Sequence, residues 1–512
     1  MNVGHSTDGH KQPELNQVLQ QVGLGWAQVK IIACAGGVWA CDGGLLLIIG
    51  AVMHNLTEEW GLNTVERGML VSLVFLGVIL GNLIGGPFAD LVGRRVPLLL
   101  SYLGVFIFSL GSSFSWDFAT MAWLRFFVGI SFSLGQPAFN ALCTECVPSQ
   151  YRLHMLVVAY SFFAVGEIFS GALLYNDDMY LQTLHWRRLM FLGGVPAGVM
   201  FFVAAAFLQE SPFFLAMNGQ TAKAKQVLET FRKDNGKPES LDVSFAPLPV
   251  ESSGAGLGLF DKYRLIFSRR MWFTTFVTSV SCFTLNFLFY GSLYAYPQFL
   301  PASGESGSVP AATLVWASVS ELPGNAAGLL FGIYVTRKLS MQVFCLCSFL
   351  VTMVLAVTVK FAVGVEEIPY SVGLLLRTAI NCDKLFTTMG FCIVYLYSVE
   401  VYSTKARATG TGFCMAFGRF GAIISPIIYE LLTGADGNPF DFFCFMAVLC
   451  LVNYALLFFL VGDPPPDDPA KDPAKYGDNM ASGRRQHQNT ASSKWGHWNR
   501  QGTDEERRPL IA

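Results

Sequence analysis

The chain has 512 residues, of which 53% are hydrophobic and only 14% are charged, whereas soluble globular proteins carry about 25% charged residues. Its 34 Lys and Arg against 36 Asp and Glu give a formal net charge of −2, so no bulk basic charge indicates a nucleic-acid partner. Because one helical span takes about 20 apolar residues, this composition predicts a polytopic helical membrane protein and argues against a water-soluble enzyme.

In chain order, a polar amino-terminal segment at 1–30 comes first, without the pattern of a cleavable signal peptide. Twelve apolar runs long enough to span a bilayer follow, near 31–53, 68–88, 96–113, 118–143, 154–175, 189–208, 271–297, 311–335, 340–362, 371–397, 408–432 and 441–462. A polar connection at 209–270 separates two sets of six, and a polar segment at 463–512 ends the chain. The predicted fold is therefore all-α, with six-helix bundles at 31–208 and 271–462.

The connections between spans differ in charge, and this difference predicts the orientation. Even-numbered connections carry cations: Arg94, Arg95, Arg152, the central connection, Arg337, Lys338, Lys405 and Arg407. By the positive-inside bias these connections, and with them both termini, face the cytosol. Odd-numbered connections carry mostly acids, except that Arg187 and Arg188 between spans five and six oppose the bias.

A short motif occurs twice at equivalent places. The segment after span four reads ECVPSQYR, from Glu145 to Arg152, and the segment after span ten reads EVYSTKAR, from Glu400 to Arg407. The positions match under a shift of six spans. Two homologous bundles related by an axis along the membrane normal are the simplest explanation.

The connection after span two reads GPFADLVGRR and contains Gly86, Asp90, Gly93, Arg94 and Arg95. This sequence resembles the GxxxDxxGRR motif of the major facilitator superfamily. Further similarity covers nearly the whole membrane region and is greatest to the branch of synaptic-vesicle-protein-related transporters, organic ion transporters and sugar or phosphate porters. The second half keeps only Arg337 and Lys338 of the motif, and the QQxxG hexose signature is not visible in span seven.

The resemblance implies a major facilitator fold, a monomer, and a cytosolic latch formed by the span-two motif. Glu145 with Arg152, and Glu400 with Arg407, would complete a network of charges between loops that breaks and re-forms as the halves rock. Arg419 in span eleven is assigned to the same gating group. The alternative is that these cations only anchor loops on the cytosolic side.

Charged residues inside spans point to function, because each costs about 2.5–3.5 kcal/mol at the bilayer centre on insertion scales. Asp42 in span one and Arg125 in span four match the acid and arginine of proton-coupled relatives. A movement that separates such a pair would let the acid take a proton. The alternative is a structural salt bridge.

Other polar residues inside spans are candidates for the substrate cavity. Asp383 and Lys384 are adjacent on span ten and cannot face one partner, so at least one should line the cavity; an ion pair with Glu167 of span five is the alternative. Asn286, Tyr290 and Tyr294 lie close to one face of span seven and would stack an organic solute, although packing or lipid contact is commoner for aromatics.

The last residues of the chain, DEERRPLIA, contain Glu506, Leu510 and Ile511 in the spacing of an acidic dileucine sorting signal. The tail at 463–512 has too little apolar surface to fold and is expected to be disordered in the cytosol. A vesicle-coat adaptor is therefore a possible partner. The signal would send the protein to endosomes, lysosomes or a vacuole, with the plasma membrane as the alternative.

Together these features predict a secondary active transporter of a small organic ion or nutrient, coupled to protons. A facilitative sugar or phosphate transporter is the nearest alternative, and a solute sensor or trafficking protein with a transporter fold is the alternative of another class. No Walker motif is present. We expect no enzymatic activity, no catalytic residue, no metal, no cofactor and no nucleic-acid partner; the expected partners are a small-molecule solute, the proton and the lipid bilayer.

Overall fold

The computed structural model describes residues 13–246, 259–269, 271–303, 309–365, 368–402, 407–433 and 438–460, with the backbone alone at 259–262, 407 and 408. The helices of the first half are α1 Leu15–Val22, α2 Trp26–Ala51, α3 Met53–Trp60, α4 Thr64–Val92, α5 Arg95–Ser113, α6 Phe118–Glu145, α7 Arg152–Asp177 and α8 Trp186–Phe207. Helices α9 Pro212–Met217, α10 Thr221–Asp234 and α11 Leu259–Ile266 lie in the central connection. The second half contains α12 Trp272–Phe299, α13 Pro310–Tyr334, α14 Arg337–Ala362, α15 Tyr370–Glu400, α16 Arg407–Thr433 and α17 Phe440–Phe458.

The all-α fold predicted from the sequence is confirmed. Within the described residues, 10 helices are long and apolar enough to cross a membrane. The two remaining long helices are α13 and α15, which brings the long helices to the predicted twelve. Helix α15 carries Arg377, Asp383, Lys384 and Glu400, and α13 carries Glu321 with several small polar residues. Polar residues therefore lower the hydropathy of these two helices, as expected for helices that line the interior of a bundle.

The two halves repeat one packing pattern. In the first half α2 packs on α7 and α8, α4 on α6, and α5 on α6 and α8. In the second half α12 packs on α16 and α17, α13 on α15, and α14 on α15 and α17. Among the ten apolar long helices, α2 and α12, the first span of each half, are the most enclosed. In each of them 83% of the residues in the apolar stretch are buried. This repetition is the tertiary counterpart of the duplicated sequence motif.

Three pairs of helices connect the halves: α7 with α13, α4 with α16, and α2 with α12. We call the end of the bundle where α2 begins the near end, and the end where α2 finishes the far end. Far-end contacts join the halves directly. The hydroxyl of Ser72 donates to the carbonyl of Ile423 (2.6 Å), and the side-chain amide of Gln298 donates to the carbonyl of Gly50 (2.5 Å). The structure thus represents a state in which the far end is closed.

All the described residues belong to one compact unit. Residues 1–12, the first part of the predicted amino-terminal segment, and the carboxy-terminal tail with Glu506, Leu510 and Ile511 lie outside the described residues. The structure therefore does not test the expected sorting signal. The long helices extend beyond the apolar runs, for example α4 from Thr64 instead of 68, because capping by Asn63 satisfies the first amides of α4 outside the apolar stretch.

Candidate functional site

A cavity lies between the two halves. Its lining consists largely of aromatic side chains, with a few polar groups: Trp39, Tyr160, Phe163, Phe289, Tyr290, Glu321, Asn325, Thr388, Phe391, Tyr395 and Arg419. The empty space among them amounts to about 530 Å³, including its solvent-open part. The first three residues belong to the first half and the others to the second half, so a solute in this cavity would contact both.

Arg419 is the basic side chain of the cavity. Its guanidinium Nη1 donates to the hydroxyl of Tyr290 (3.1 Å), and its central carbon lies 5.9 Å from the centre of the Tyr290 ring. No carboxylate of the described residues forms an ion pair with Arg419. The guanidinium group therefore keeps unused donors next to the empty space. The sequence assigned Arg419 to the gating group, whereas the structure places it in the cavity wall.

Three ionisable side chains meet beside the cavity. The ammonium Nζ of Lys384 lies 2.9 Å from both carboxylate oxygens of Glu167 and 2.6 Å from Oε1 of Glu321. The hydroxyl of Ser318 donates to Oε2 of Glu167 (2.9 Å). We call Glu167, Glu321 and Lys384 the charge triad. It joins α7 of the first half to α13 and α15 of the second.

The predicted pair of Asp42 and Arg125 is not formed. Arg125 is 1% exposed and donates through Nε (3.1 Å) and Nη2 (2.6 Å) to the hydroxyl of Ser112. The reason is the packing, because α6 lies against α5, which carries Ser112, while α2 packs mainly on α7 and α8. Asp42 is 7% exposed, and the cation whose charge acts on it is Arg419.

The remaining cavity candidates divide into two groups. Tyr290 lines the cavity, and Asn286 lies behind it, where its amide donates to the Tyr395 hydroxyl (3.3 Å). Tyr294 instead donates to Glu430 (2.5 Å), and Asp383 accepts from Tyr296 (2.5 Å). Neither Asp383 nor Lys384 is among the lining residues, so the expectation that one of them lines the cavity is wrong. Lys384 lies behind the lining, in contact with Glu321 and Phe289, which both line the cavity.

The charged motifs at the near end form pairs within each half. Arg94 contacts Glu145 through Nε (3.1 Å) and Nη2 (3.0 Å), and Arg337 contacts Glu400 in the same way (2.7 and 3.0 Å). Glu145 thus joins the expected network of charges through Arg94, whereas Arg152 is not its partner, because both carboxylate oxygens of Glu145 accept from Arg94. Arg152 instead donates to the carbonyl of Val147 (3.3 Å). The side chain of Arg407 lies outside the described residues.

The other members of the GPFADLVGRR motif have separate roles. Asp90 is 75% exposed and lies 3.3 Å from Arg94, while Arg95 donates to the carbonyl of Ala205 at the end of α8 (2.6 Å). Gly93 ends α4 with a positive φ of 102°, a conformation that glycine adopts without strain. A Cβ atom on Gly86 would meet nothing within 4 Å, so no neighbouring helix packs closely against Gly86.

Sequence reasoning missed two buried carboxylates and most of the aromatic lining. Glu321 and Glu430 are 2% and 5% exposed, and each stands inside an apolar run, so the cost of a charge in a span was the available signal. Phe289, Phe391 and Tyr395 had no such signal, because aromatic residues are abundant in every span. Among the described residues, no group of three or more His, Cys, Asp or Glu side chains is placed to hold a metal ion.

Comparisons with known proteins agree with this architecture. The sequence profile of the family described as sugar (and other) transporter matches residues 36–462. The putative transporter svop-1 of Caenorhabditis elegans is 27% identical over 442 residues, which cover 83% of this chain and 81% of the relative. The synaptic vesicle 2-related protein of Bos taurus is 26% identical over 436 residues, covering 82% and 75%. The partially occluded, inward-open xylose transporter XylE of E. coli has the same fold, with a TM-score of 0.65 at 14% identity over 85% of this chain and 98% of that chain.

Proposed function

The chain belongs to the sugar (and other) transporter family, and we propose that it is a proton-coupled secondary transporter of a small organic anion with an apolar ring. Transport follows alternating access, in which the two halves rock around the cavity and open it to one side of the membrane at a time. Small-molecule transport by a multi-pass membrane protein follows from the family; the anion, the ring and the proton are the proposed parts.

The observation that carries the proposal is Arg419. A guanidinium group recognises a carboxylate through two parallel N–H donors, and Arg419 has unused donors facing the cavity. The walls around it, including Phe289, Tyr290 and Phe391, offer ring faces for offset or edge stacking. A carboxylate attached to a flat apolar body matches both features.

A sugar fits this lining less well. A sugar needs hydrogen-bonding partners for several hydroxyl groups, and leaving such groups unpaired in a closed cavity costs about 1–3 kcal/mol each. The polar lining is limited to Glu321, Asn325, Thr388, Arg419 and four hydroxyl or indole groups of aromatic residues. An organic cation would need a free carboxylate, whereas the carboxylate of Glu321 is paired with Lys384 (2.6 Å).

Proton coupling is proposed because buried carboxyl groups flank the cavity. Taking a proton together with an organic anion leaves the moving complex without net charge, which lowers the cost of crossing the bilayer centre. The sequence predicted that Asp42, paired with Arg125, exchanges the proton. Asp42 is buried as expected, but the cation that acts on it is Arg419 instead of Arg125. Asp42 thus remains one candidate.

The experiment uses purified protein in liposomes with benzoate, tetraethylammonium, xylose or phosphate outside. We expect benzoate uptake that increases when the exterior is made acidic, and its loss in R419A. Preferred uptake of xylose, phosphate or tetraethylammonium contradicts the anion proposal, and benzoate uptake that ignores the pH gradient contradicts proton coupling. Binding of benzoate without uptake would support a sensor instead.

We further propose that the protein resides in an endosomal, lysosomal or vacuolar membrane or another vesicle membrane, with Glu506, Leu510 and Ile511 as the sorting signal. The support is the motif itself and the similarity to proteins named for synaptic vesicles. The test is the double variant L510A/I511A, labelled at its amino terminus. Redistribution to the plasma membrane is expected, and an unchanged location contradicts the proposal.

A further inference from the structure

The charge triad contains two acids and one base, all buried within the protein, with Glu321 at the wall of the cavity. Glu167, Glu321 and Lys384 are 0%, 2% and 2% exposed. The ammonium Nζ of Lys384 lies 2.9 Å from the carboxylate of Glu167 and 2.6 Å from that of Glu321, so the two acids approach one another around a single cation. Two ionised carboxylates offer only acceptors and repel one another. Their close approach is stable when one of them carries a proton.

The surrounding charges do not remove this imbalance. Asp383 lies next to Lys384 on the same helix, accepts a hydrogen bond from Tyr296 on α12 and has no hydrogen-bond partner at Oδ1. Because Asp383 is itself an acid, it adds no positive charge to the triad. On the other packed elements, Arg419 contacts Tyr290 and acts on Asp42 of α2. With all three members ionised, the triad has one uncompensated negative charge, and one bound proton neutralises it.

The contacts distinguish the two acids. Both carboxylate oxygens of Glu167 accept from Lys384, and one of them also accepts from the hydroxyl of Ser318. The negative charge of Glu167 is therefore well compensated. Glu321 has one contact with Lys384 and is the member that lines the cavity. A proton from cavity water can therefore reach Glu321 directly.

We propose that Glu321 is the binding site of the coupled proton, and that its protonation decides how Lys384 is shared between the halves of the transporter. A hydronium ion that enters the cavity transfers its proton to a carboxylate oxygen of Glu321: one O–H bond of the hydronium breaks and leaves water, and one O–H bond forms on Glu321, which becomes a neutral acid. The neutral acid donates a hydrogen bond to Glu167, and the charge of Lys384 then compensates Glu167 alone. This strengthens the link from α15 of the second half to α7 of the first.

Loss of the proton reverses this arrangement. Lys384 then divides its charge between Glu321, on its own half, and Glu167, on the other half, so the connection between the halves weakens. Lys384 also lies 4.5 Å from the centre of the Phe289 ring, which lines the cavity. A bound solute and the proton thus act on one ammonium group, which couples them. The inference rests on the proposed proton-coupled function.

The first experiment detects the proton without a substrate. Purified wild-type protein and the variants E321Q, D42N and D383N, each checked by size-exclusion chromatography, are compared by infrared spectroscopy over a pH series. We expect the wild-type spectrum to contain a protonated-carboxyl band that fades as pH rises, that is lost in E321Q and that persists in D42N and D383N. D383N is the matched control, a buried carboxyl on the same helix.

Two infrared results overturn the inference. One is a difference spectrum between wild type and E321Q that contains only the bands of ionised carboxylates at every pH. The other is a titrating band that survives in E321Q and is lost in D42N or D383N, which places the proton there. If E321Q does not fold, E321D is measured in its place. A titrating protonated-carboxyl band that stays at the wild-type position in E321D equally contradicts the assignment of the proton to Glu321.

The second experiment separates this inference from the proposed function. In liposomes, E321Q should not accumulate benzoate in response to a pH gradient, whereas the control D383N should accumulate it as the wild type does. Accumulation by E321Q at the wild-type level overturns the inference and leaves the function intact. Absence of benzoate transport in the wild type contradicts the function, while the infrared bands still decide whether Glu321 binds the proton.

Discussion

Arg337 repeats the position of Arg94 in the opposite half of the protein. Each guanidinium forms two hydrogen bonds with a glutamate at the end of the fourth span of its half, Glu145 of α6 or Glu400 of α15. Each also donates to the carbonyl five residues before it, that of Ala89 or Gly332. The structure therefore preserves the motif in the second half where the sequence had kept only the basic residues.

This equivalence predicts unequal effects within the motif. R94Q removes two charge-assisted hydrogen bonds from a side chain that is 10% exposed, so we expect a loss of about 2 kcal/mol in the free energy of unfolding. D90N changes a side chain that is 75% exposed, and surface changes stay within about 0.5 kcal/mol. Thermal unfolding in detergent measures both. Equal melting temperatures for R94Q and D90N would contradict the assignment.

Two glycines should respond oppositely to alanine. A Cβ atom on Gly166 would lie 1.8 Å from the carbonyl oxygen of Ala40, so G166A must push α7 away from α2 and should destabilise the protein by about 3 kcal/mol. At Gly86 the added methyl group meets nothing within 4 Å. Alanine is favoured over glycine in a helix by about 1 kcal/mol, so G86A should melt at the wild-type temperature or higher. A lower melting temperature for G86A than for G166A would refute this packing.

Glu59 predicts a pH dependence of stability. Hydrogen bonds from Arg187 (2.7 and 3.1 Å) and from the indole of Trp186 (2.6 Å) hold the pKa of Glu59, in α3, below its usual range. Because the folded pKa is lowered, the stabilisation is present above the unfolded pKa of about 4.3 and is lost as pH falls through the folded value. Arg187, whose position opposed the positive-inside bias, is thus neutralised by an acid.

The measurement compares the melting temperatures of wild type and E59Q as pH is lowered from about 7 to about 3. The wild type should be more stable at the upper end, and the difference should shrink towards the lower end. Since the Glu59 side chain is 39% exposed, solvent screening keeps the effect small. A difference that stays constant over this interval would speak against the Arg187 contact.

The far-end closure depends on a second buried acid. Glu430 of α16 lies 3.3 Å from Nη2 of Arg67 on α4 and accepts from Tyr294. E430Q removes the ion pair between the halves, so amide hydrogen exchange should increase at the start of α4 and the end of α16. Y294F keeps the ion pair and should leave exchange at the start of α4 near the wild-type rate. Equal protection of these segments in E430Q and wild type would show that the pair does not hold the far end closed.

The sequence by itself determined the number and approximate limits of the spans, the duplication, and the presence of charges too costly to expose to lipid. These are local properties, because hydropathy and spacing are read within one helix. Only the tertiary structure decided which charges meet. Glu167 and Lys384 stand 217 positions apart, and Arg125 has Ser112 instead of Asp42 as its partner, since a partner depends on which helices pack together and at what rotation. A single helix contains neither piece of information.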